Sequence, residues 1–288
     1  MSHPRLLVIE GNTAASRAEQ TAAGGVASSA AYADLLRELL PGATVDVCYP
    51  ADGAVVLPPG MALDGYDGAA ITGSALHVYD GGPAVQRQVE LARAALGAGV
   101  PVFGSCWGLQ VLTAAAGGSV HANPHGREIV YGRAIRLNAD GRAHAMYTGK
   151  ADVFDAMTFH RDVVATLAPG TTVLAANAVS AVQAVEIRCG TAVAWAVQYH
   201  PEYPLREVAA IVRRSGINLV NEGFFPDTEA LTGYATELDA LDRNPDDTGL
   251  AQRHGIDGAV LDKPMRVREI ANWIAYLVEP TRARRGRG

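Results

Sequence analysis

Apolar runs and polar breaks alternate along the chain as a succession of strand–helix units. Leu6 to Glu10 is a short apolar run that stops at Gly11-Asn12, as a buried strand does on leaving the core. Thr13 to Ser29 is rich in Ala, Gly and Ser without an apolar stripe, and predicts a long loop. Leu35, Leu36, Leu39 and Leu40 recur at helical spacing within Ala31 to Leu40, and Pro41-Gly42 ends that helix. Strands are predicted at Thr44 to Tyr49, Gly68 to Thr72 and Val100 to Gly104, with an amphipathic helix at Val85 to Leu96. This order predicts an α/β fold with a mostly parallel central sheet and helices on both faces. Ligands in such sheets bind beyond the carboxyl ends of the strands, where Gly73-Ser74 and Ser105-Cys106 fall.

A helix is predicted to start near Trp107, with strands at Ile129 to Leu137 and Val173 to Ala175. Val182 to Glu186 and Ala192 to Val197 predict a hairpin around Cys189-Gly190, and Glu207 to Arg214 a helix capped by Gly216. The texture then becomes polar, broken by Pro226, Asn244-Pro245 and Gly255. The expected division is a main domain over 1–216 and a C-terminal helical extension over 217–288. Val267 to Leu277 places Ile270, Trp273 and Ile274 on one helical face. That face packs either onto the main domain or across a homo-oligomer, and the sequence leaves both open.

Composition narrows the classes. Hydrophobic residues at 49% and charged residues at 19% fit a globular enzyme and exclude wholesale disorder. A net charge of -6 argues against a nucleic-acid partner. The one basic cluster, Arg282, Arg284, Arg285 and Arg287, predicts a solvated tail. Three scattered cysteines, Cys48, Cys106 and Cys189, do not make a disulfide framework. With no apolar run of bilayer length and no leader-like start, a cytoplasmic protein without a membrane partner is expected.

The strongest chemical signal is Gly104-Ser105-Cys106-Trp107-Gly108-Leu109-Gln110, where a strand turns abruptly into a helix. Unpaired N–H groups and the dipole at a helix N-terminus favour a thiolate, and flanking glycines permit the tight turn. A small buried cysteine at a sheet edge is the bland alternative. Gln198-Tyr199-His200-Pro201-Glu202 follows the last strand, so His200 lies at a strand end with Glu202 able to reach back to its ring. A thiol, a base and an orienting carboxylate make a nucleophilic triad.

Together, Gly-x-Cys-x-Gly-x-Gln and the distant Gln-Tyr-His-Pro-Glu resemble the class I, triad-type glutamine amidotransferases, and most of all their stand-alone GMP-synthase-like domains. The resemblance covers residues 5–215. It implies that Cys106, His200 and Glu202 are catalytic and form and hydrolyse a γ-glutamyl thioester. It implies that the backbone N–H groups of Gly73 and Trp107 form an oxyanion hole. Ser74, Gln110 and His160 would contact the substrate, the last within Phe159-His160-Arg161-Asp162, where Phe stands in place of the family's Ser. Arg127-Glu128 resembles a family Arg-Glu pair, with a plain ion pair as the alternative. No cofactor is implied. His121 and His125 have ligand-like spacing but no third partner, so no metal is expected. Gly24-Gly25 and Ser28-Ser29 lack the Lys and spacing of a phosphate loop.

Three functions follow from the resemblance. The first hydrolyses glutamine and passes ammonia to a separate synthetase, since the chain carries no synthetase motif. The second releases an amine from a γ-glutamyl-amine conjugate by the same thioester. The third is a binding subunit that kept the fold. Trp107, the segment Thr13 to Ser29 and the C-terminal extension are the features expected to shape the leaving-group pocket.

Overall fold

The computed structural model describes residues 3–287. Strand β1 (Arg5–Ile9) is followed by helices α1 (Ala14–Ala22) and α2 (Ser28–Leu39), then β2 (Thr44–Cys48) and β3 (Gly68–Ile71). Helix α3 (Gly82–Gly97), β4 (Val102–Ser105) and α4 (Trp107–Ala115) complete the first half. Next come β5 (Ser119–Ala122), β6 (Glu128–Leu137), α5 (Ala139–Ala143), β7 (Val153–His160), β8 (Asp162–Thr166), β9 (Thr171–Ala176), β10 (Ala184–Cys189) and β11 (Ala192–Val197). Helices α6 (Leu205–Asn221), α7 (Thr228–Arg243), α8 (Thr248–His254), α9 (Gly258–Leu261), α10 (Lys263–Arg266), α11 (Arg268–Trp273) and α12 (Glu279–Arg284) close the chain.

The strands form one nine-stranded sheet in the order β2-β1-β3-β4-β11-β10-β9-β6-β7, and β5 pairs with β8 beside it. β2, β1, β3, β4 and β11 run parallel, while β10, β9, β6 and β7 continue antiparallel. The parallel strands are short and apolar because both faces are covered, as in α/β folds generally. Alternate residues of β1 serve opposite layers: Leu6 and Val8 pack toward α2 and the C-terminal helices, Leu7 and Ile9 toward α3 and α4. The predicted hairpin around Cys189-Gly190 is present as β10–β11.

Some expectations change, and one left open is settled. Thr13 to Ser29 is not a loop, since it contains α1 and the start of α2. Helix α1 shows no apolar stripe because its ends hold it: Thr13 accepts from the Ser16 N–H, and Asp52 binds the Ala14 N–H and Arg17. Gly216, at φ 41° and ψ -121°, leaves helical geometry and ends the first segment of α6 as expected, but a second helical segment follows directly and runs to Asn221. The expected break after 216 therefore coincides with this kink, between two helical segments that follow each other without a linker. The Trp273 face packs on its own chain, where Trp273 meets Phe103 and Val267, Ile270, Ile274 and Val278 join the core that holds Leu6. Truncating Trp273 to alanine should cost about 3–5 kcal/mol.

The basic C-terminus is not a solvated tail. Arg285 donates to the carbonyls of Asp64, Tyr66, Ala98 and Gly99, and Arg287 to those of Asp64 and Gly65. The guanidinium of Arg285 satisfies carbonyls left over at the end of α3, which a cation there does favourably.

Candidate active site

Register builds the site. Ile9 lies beside Ile71, Ile71 beside Gly104, and Ser105 beside Val197. The segments leaving β1, β3, β4 and β11 therefore start along one edge, with Glu10, Thr72, Cys106 and Gln198 at the head of each.

Cys106 sits between β4 and α4 at φ 52° and ψ -100°, a conformation strained for a residue with a side chain. Such strain costs on the order of 1–3 kcal/mol and is held only by its surroundings. Here the Cys106 N–H donates to the Val197 carbonyl at 2.8 Å. At Gly108 a Cβ would lie 2.6 Å from the Ile71 oxygen, so only glycine lets the first turn of α4 lie against β3. Trp107 is the first residue of α4, and its backbone N–H has no acceptor within the helix. Its ring is fully buried, with Nε1 donating to Gln88 Oε1 at 2.7 Å. The Trp107 side chain therefore does not shape the leaving-group pocket.

His200 is placed by its own N–H, which donates to the Met157 carbonyl of β7 at 2.7 Å. Its Nδ1 lies 2.7 Å from Glu202 Oε1, and its ring stacks on Tyr203 with centroids 4.1 Å apart. With Nδ1 taken by Glu202, Nε2 is the nitrogen left for Cys106. A Cβ on residue 73 would fall 2.5 Å from His200 Cε1, so Gly73 is required for the ring to approach. Burial opposes a charge on the imidazole. The Glu202 carboxylate and next Cys106 outweigh it and push the pKa up to about 10, while the Cys106 thiol itself donates to the Phe159 carbonyl at 3.9 Å.

Glu202 is itself held. Its Oε2 accepts from Ser105 Oγ at 2.9 Å, and Ser105 Oγ lies 2.8 Å from Tyr32 OH. Because Ser105 spends its one proton on Glu202, Tyr32 is the donor to Ser105. Burial, and next the Glu202 charge, hold the Tyr32 phenol well above its ordinary range, so that proton stays in place. Sequence reasoning missed both residues. Ser105 carried a signal in its position next to Cys106; Tyr32 carried none.

A pocket of about 300 Å³ opens over Cys106 and His200, with Gly73, Ser74, Gln110 and His160 in its wall. The polar atoms of some of these are already engaged. Ser74 Oγ donates to the Gly11 carbonyl at 2.8 Å. His160 Nδ1 donates to the Asp162 carbonyl at 3.0 Å and Nε2 meets Glu128 at 2.8 Å, so neither ring nitrogen remains for a ligand. Gln110 Nε2 reaches the Asp162 carbonyl only at 3.5 Å and is the freest of the three. Arg127 and Glu128 do not pair with each other: Arg127 forks onto Glu222, and Glu128 binds His160, Gln183 and Asn177. Among the described residues, no group of three His, Cys, Asp or Glu side chains could hold a metal ion, and no helix is long and apolar enough to cross a membrane.

This arrangement defines an α/β enzyme with a cysteine at a strand-to-helix elbow and a histidine–carboxylate pair at the next strand end. The family model for glutamine amidotransferase class I matches residues 42–219, more than half of the sequence, and the chain belongs to that family. It is 33% identical to γ-glutamyl-L-1-hydroxyisopropylamide hydrolase of a Pseudomonas species, over 99% of this chain and 97% of that protein. It is 35% identical to the glutamine-hydrolysing GMP synthase of Corynebacterium diphtheriae over 133 residues, 46% of this chain and 23% of that enzyme. The solved structure of a glutamine amidotransferase from Methylobacillus flagellatus matches 96% of each chain with a TM-score of 0.64 at 20% identity, a likeness of fold.

Proposed function

We propose that this enzyme hydrolyses the amide bond of a small γ-glutamyl amine, with Cys106 as nucleophile, His200 as acid and base, and Glu202 as its orienting partner. The observation that carries this is the Cys106 elbow set against a His200 whose other nitrogen is fixed by Glu202. The Cys106 thiolate attacks the γ-carbonyl carbon, and the Gly73 and Trp107 N–H groups face the oxygen as it gains charge. The C–N bond breaks as His200 Nε2 gives its proton to the departing amine, leaving a thioester. Water then loses a proton to His200 and attacks the thioester; the C–S bond breaks, releasing glutamate and restoring the thiolate. Gln110 and the Phe159–Asp162 segment would hold the glutamyl half, while Ser74 and His160 shape the wall through their internal bonds.

An amine rather than ammonia is favoured by the end-to-end match to a protein named for hydrolysing a γ-glutamyl hydroxyalkylamide, whereas the GMP synthase match covers under half of this chain. The GMP synthase likeness supports a second reading, in which glutamine is the substrate and a separate synthetase takes the ammonia. Purified protein assayed against glutamine and a panel of γ-glutamyl amines, with Cys106→Ala alongside, separates them. Faster turnover of the amine conjugates is expected, and negligible turnover of them beside rapid glutaminase activity would select the second reading. Equal product release by wild type and Cys106→Ala would remove the nucleophile assignment.

A further inference from the structure

The proposed oxyanion hole depends on where the Gly73 N–H points. That N–H donates to no acceptor among the described residues, so its aim is set by the rigid peptides on either side. On one side, the Thr72 N–H is tied to the Ile9 carbonyl at 3.1 Å. On the other, the Gly73 carbonyl accepts from Asn12 Nδ2 at 3.1 Å, and the Ala75 N–H donates to Asn12 Oδ1 at 3.1 Å. Thr72 Oγ1 reaches the same carbonyl at 3.0 Å from within the turn. Asn12 holds the turn from outside, at both ends, with one amide.

Asn12 is held in its turn. The buried Glu10 carboxylate accepts from its backbone N–H at 2.9 Å and from Nδ2 at 3.2 Å. The other Glu10 oxygen accepts from the Ser29 N–H at 2.8 Å, in the first turn of α2, where a carboxylate is favoured. Arg17 of α1 donates to the Asn12 carbonyl at 2.8 Å and pairs with Asp52. Gly11 brings the segment close: a Cβ there would lie 2.8 Å from both the Gly73 oxygen and Trp107 Cδ1. The turn after β1 thus touches both residues of the hole. Asn12 also stands in the pocket wall with Cys106, so a substrate contact and a positioning role have to be told apart.

We propose that Asn12 is a positioning residue for the oxyanion hole, holding the turn Gly73-Ser74-Ala75 so that the Gly73 N–H stays aimed at the γ-carbonyl oxygen. This rests on the thioester hydrolysis proposed above and adds the residue that keeps its hole assembled. A donor aids catalysis when it is already oriented as charge develops, so losing the clamp acts on the transition state and not on substrate binding. Ser74 Oγ, bonded to the Gly11 carbonyl, still tethers the turn when Asn12 is lost, so the effect is partial.

The test compares wild type, Asn12→Ala and Asn12→Leu, which keeps the side-chain volume without its polar atoms. Each is assayed on whichever of glutamine and γ-glutamyl-ethanolamide the wild type turns over. The rate at which iodoacetamide alkylates Cys106 is followed beside it by peptide mass spectrometry. Alkylation takes place at a saturated carbon, develops no oxyanion and reports the thiolate alone. Both variants should lose roughly 10- to 100-fold in kcat, less than a whole oxyanion donor is worth, with KM within about threefold and alkylation within about twofold. Both readouts come from one preparation, so a partly folded variant still gives their ratio. An unchanged kcat in both variants overturns the proposal. So does a fall in alkylation that matches the fall in kcat, since Asn12 would then support the surroundings of the thiol at large. A raised KM with normal kcat overturns it by making Asn12 a substrate contact. Each of these outcomes leaves the hydrolysis reading intact, whereas a wild type that cleaves neither substrate overturns that reading and the clamp with it.

Discussion

His200 and His160 are both about 3% exposed, and each points one nitrogen at a glutamate, at 2.7 Å to Glu202 and 2.8 Å to Glu128. They differ at the other nitrogen. His160 gives its second nitrogen to the Asp162 carbonyl, which closes the ring into the protein's own hydrogen bonds. His200 turns its second nitrogen toward Cys106, a group that can change charge. On the proposed mechanism, a buried histidine–carboxylate pair is structural or reactive according to what its other nitrogen meets, and neither burial nor the carboxylate distance decides it.

The sharpest way to break this contrast is to remove each ring in turn. His200→Gln should lower kcat on the order of 10⁴-fold, as loss of the base does in a triad that works as a unit. His160→Gln should lower it no more than roughly tenfold in the folded fraction, the scale of one lost positioning contact. Steady-state kinetics normalised to folded protein measures both, and comparable losses would end the distinction. Glu202→Gln follows, with a loss on the order of 10³-fold, because the amide no longer balances the charged ring. Ser105→Ala removes only one bond to Glu202 and should cost roughly tenfold in kcat with KM unchanged. A Ser105→Ala enzyme with a raised KM and normal kcat would place that residue outside the triad's support.

How much of this contrast was legible beforehand depends on how local each feature is. Cys106, His200 and Glu202 stand in two short motifs at strand ends, where the chain itself sets the spacing. The parallel strands were equally plain, since residues buried on both faces leave unbroken apolar runs. His160 was visible as a motif residue, but its partner Glu128 lies 32 positions away, and its role depends on where each nitrogen points. Tyr32 reaches Ser105 across 73 positions, so nothing near it marks the contact. Helix α1 escaped notice because alanines, a cap and Asp52 hold it instead of an apolar stripe. Charge misled at the C-terminus, where Arg285 binds carbonyls, which no charge pattern records.

Titration sharpens the comparison further. With a pKa of about 10, His200 keeps its proton through neutral pH, and Cys106 is one of the groups that hold it there. Cys106→Ala should lower that pKa, as followed by the ring signals in NMR; an unchanged value would mean the thiol does not touch the base. The stability consequence has a definite sign. Below the ordinary value of 6.5 the ring is protonated folded or unfolded, and the pairing contributes in full. Between 6.5 and about 10 the unfolded chain loses its proton while the folded one keeps it, so the contribution declines with rising pH and is gone above about 10. The stability difference between wild type and His200→Gln, measured by denaturant unfolding, should shrink across that window.

The smallest effect on turnover is expected at Glu128, and it tests the structural half of the comparison alone. Its carboxylate binds His160, Gln183 and Asn177, so it joins β6, β7 and the loop after β9 behind the pocket wall. Glu128→Gln keeps the shape and one acceptor but loses the charge that three donors share. It should reduce unfolding stability by about 2 kcal/mol while leaving kcat within roughly threefold, since the lost charge-assisted bonds lie behind the wall and not on the reacting atoms. Glu202→Gln makes the same chemical change in the other pair and should instead bring a large loss of kcat, together with loss of the stability that its charge lends the protonated His200 ring. If the two variants behaved alike in both measurements, the second nitrogen would not be what separates the two histidines.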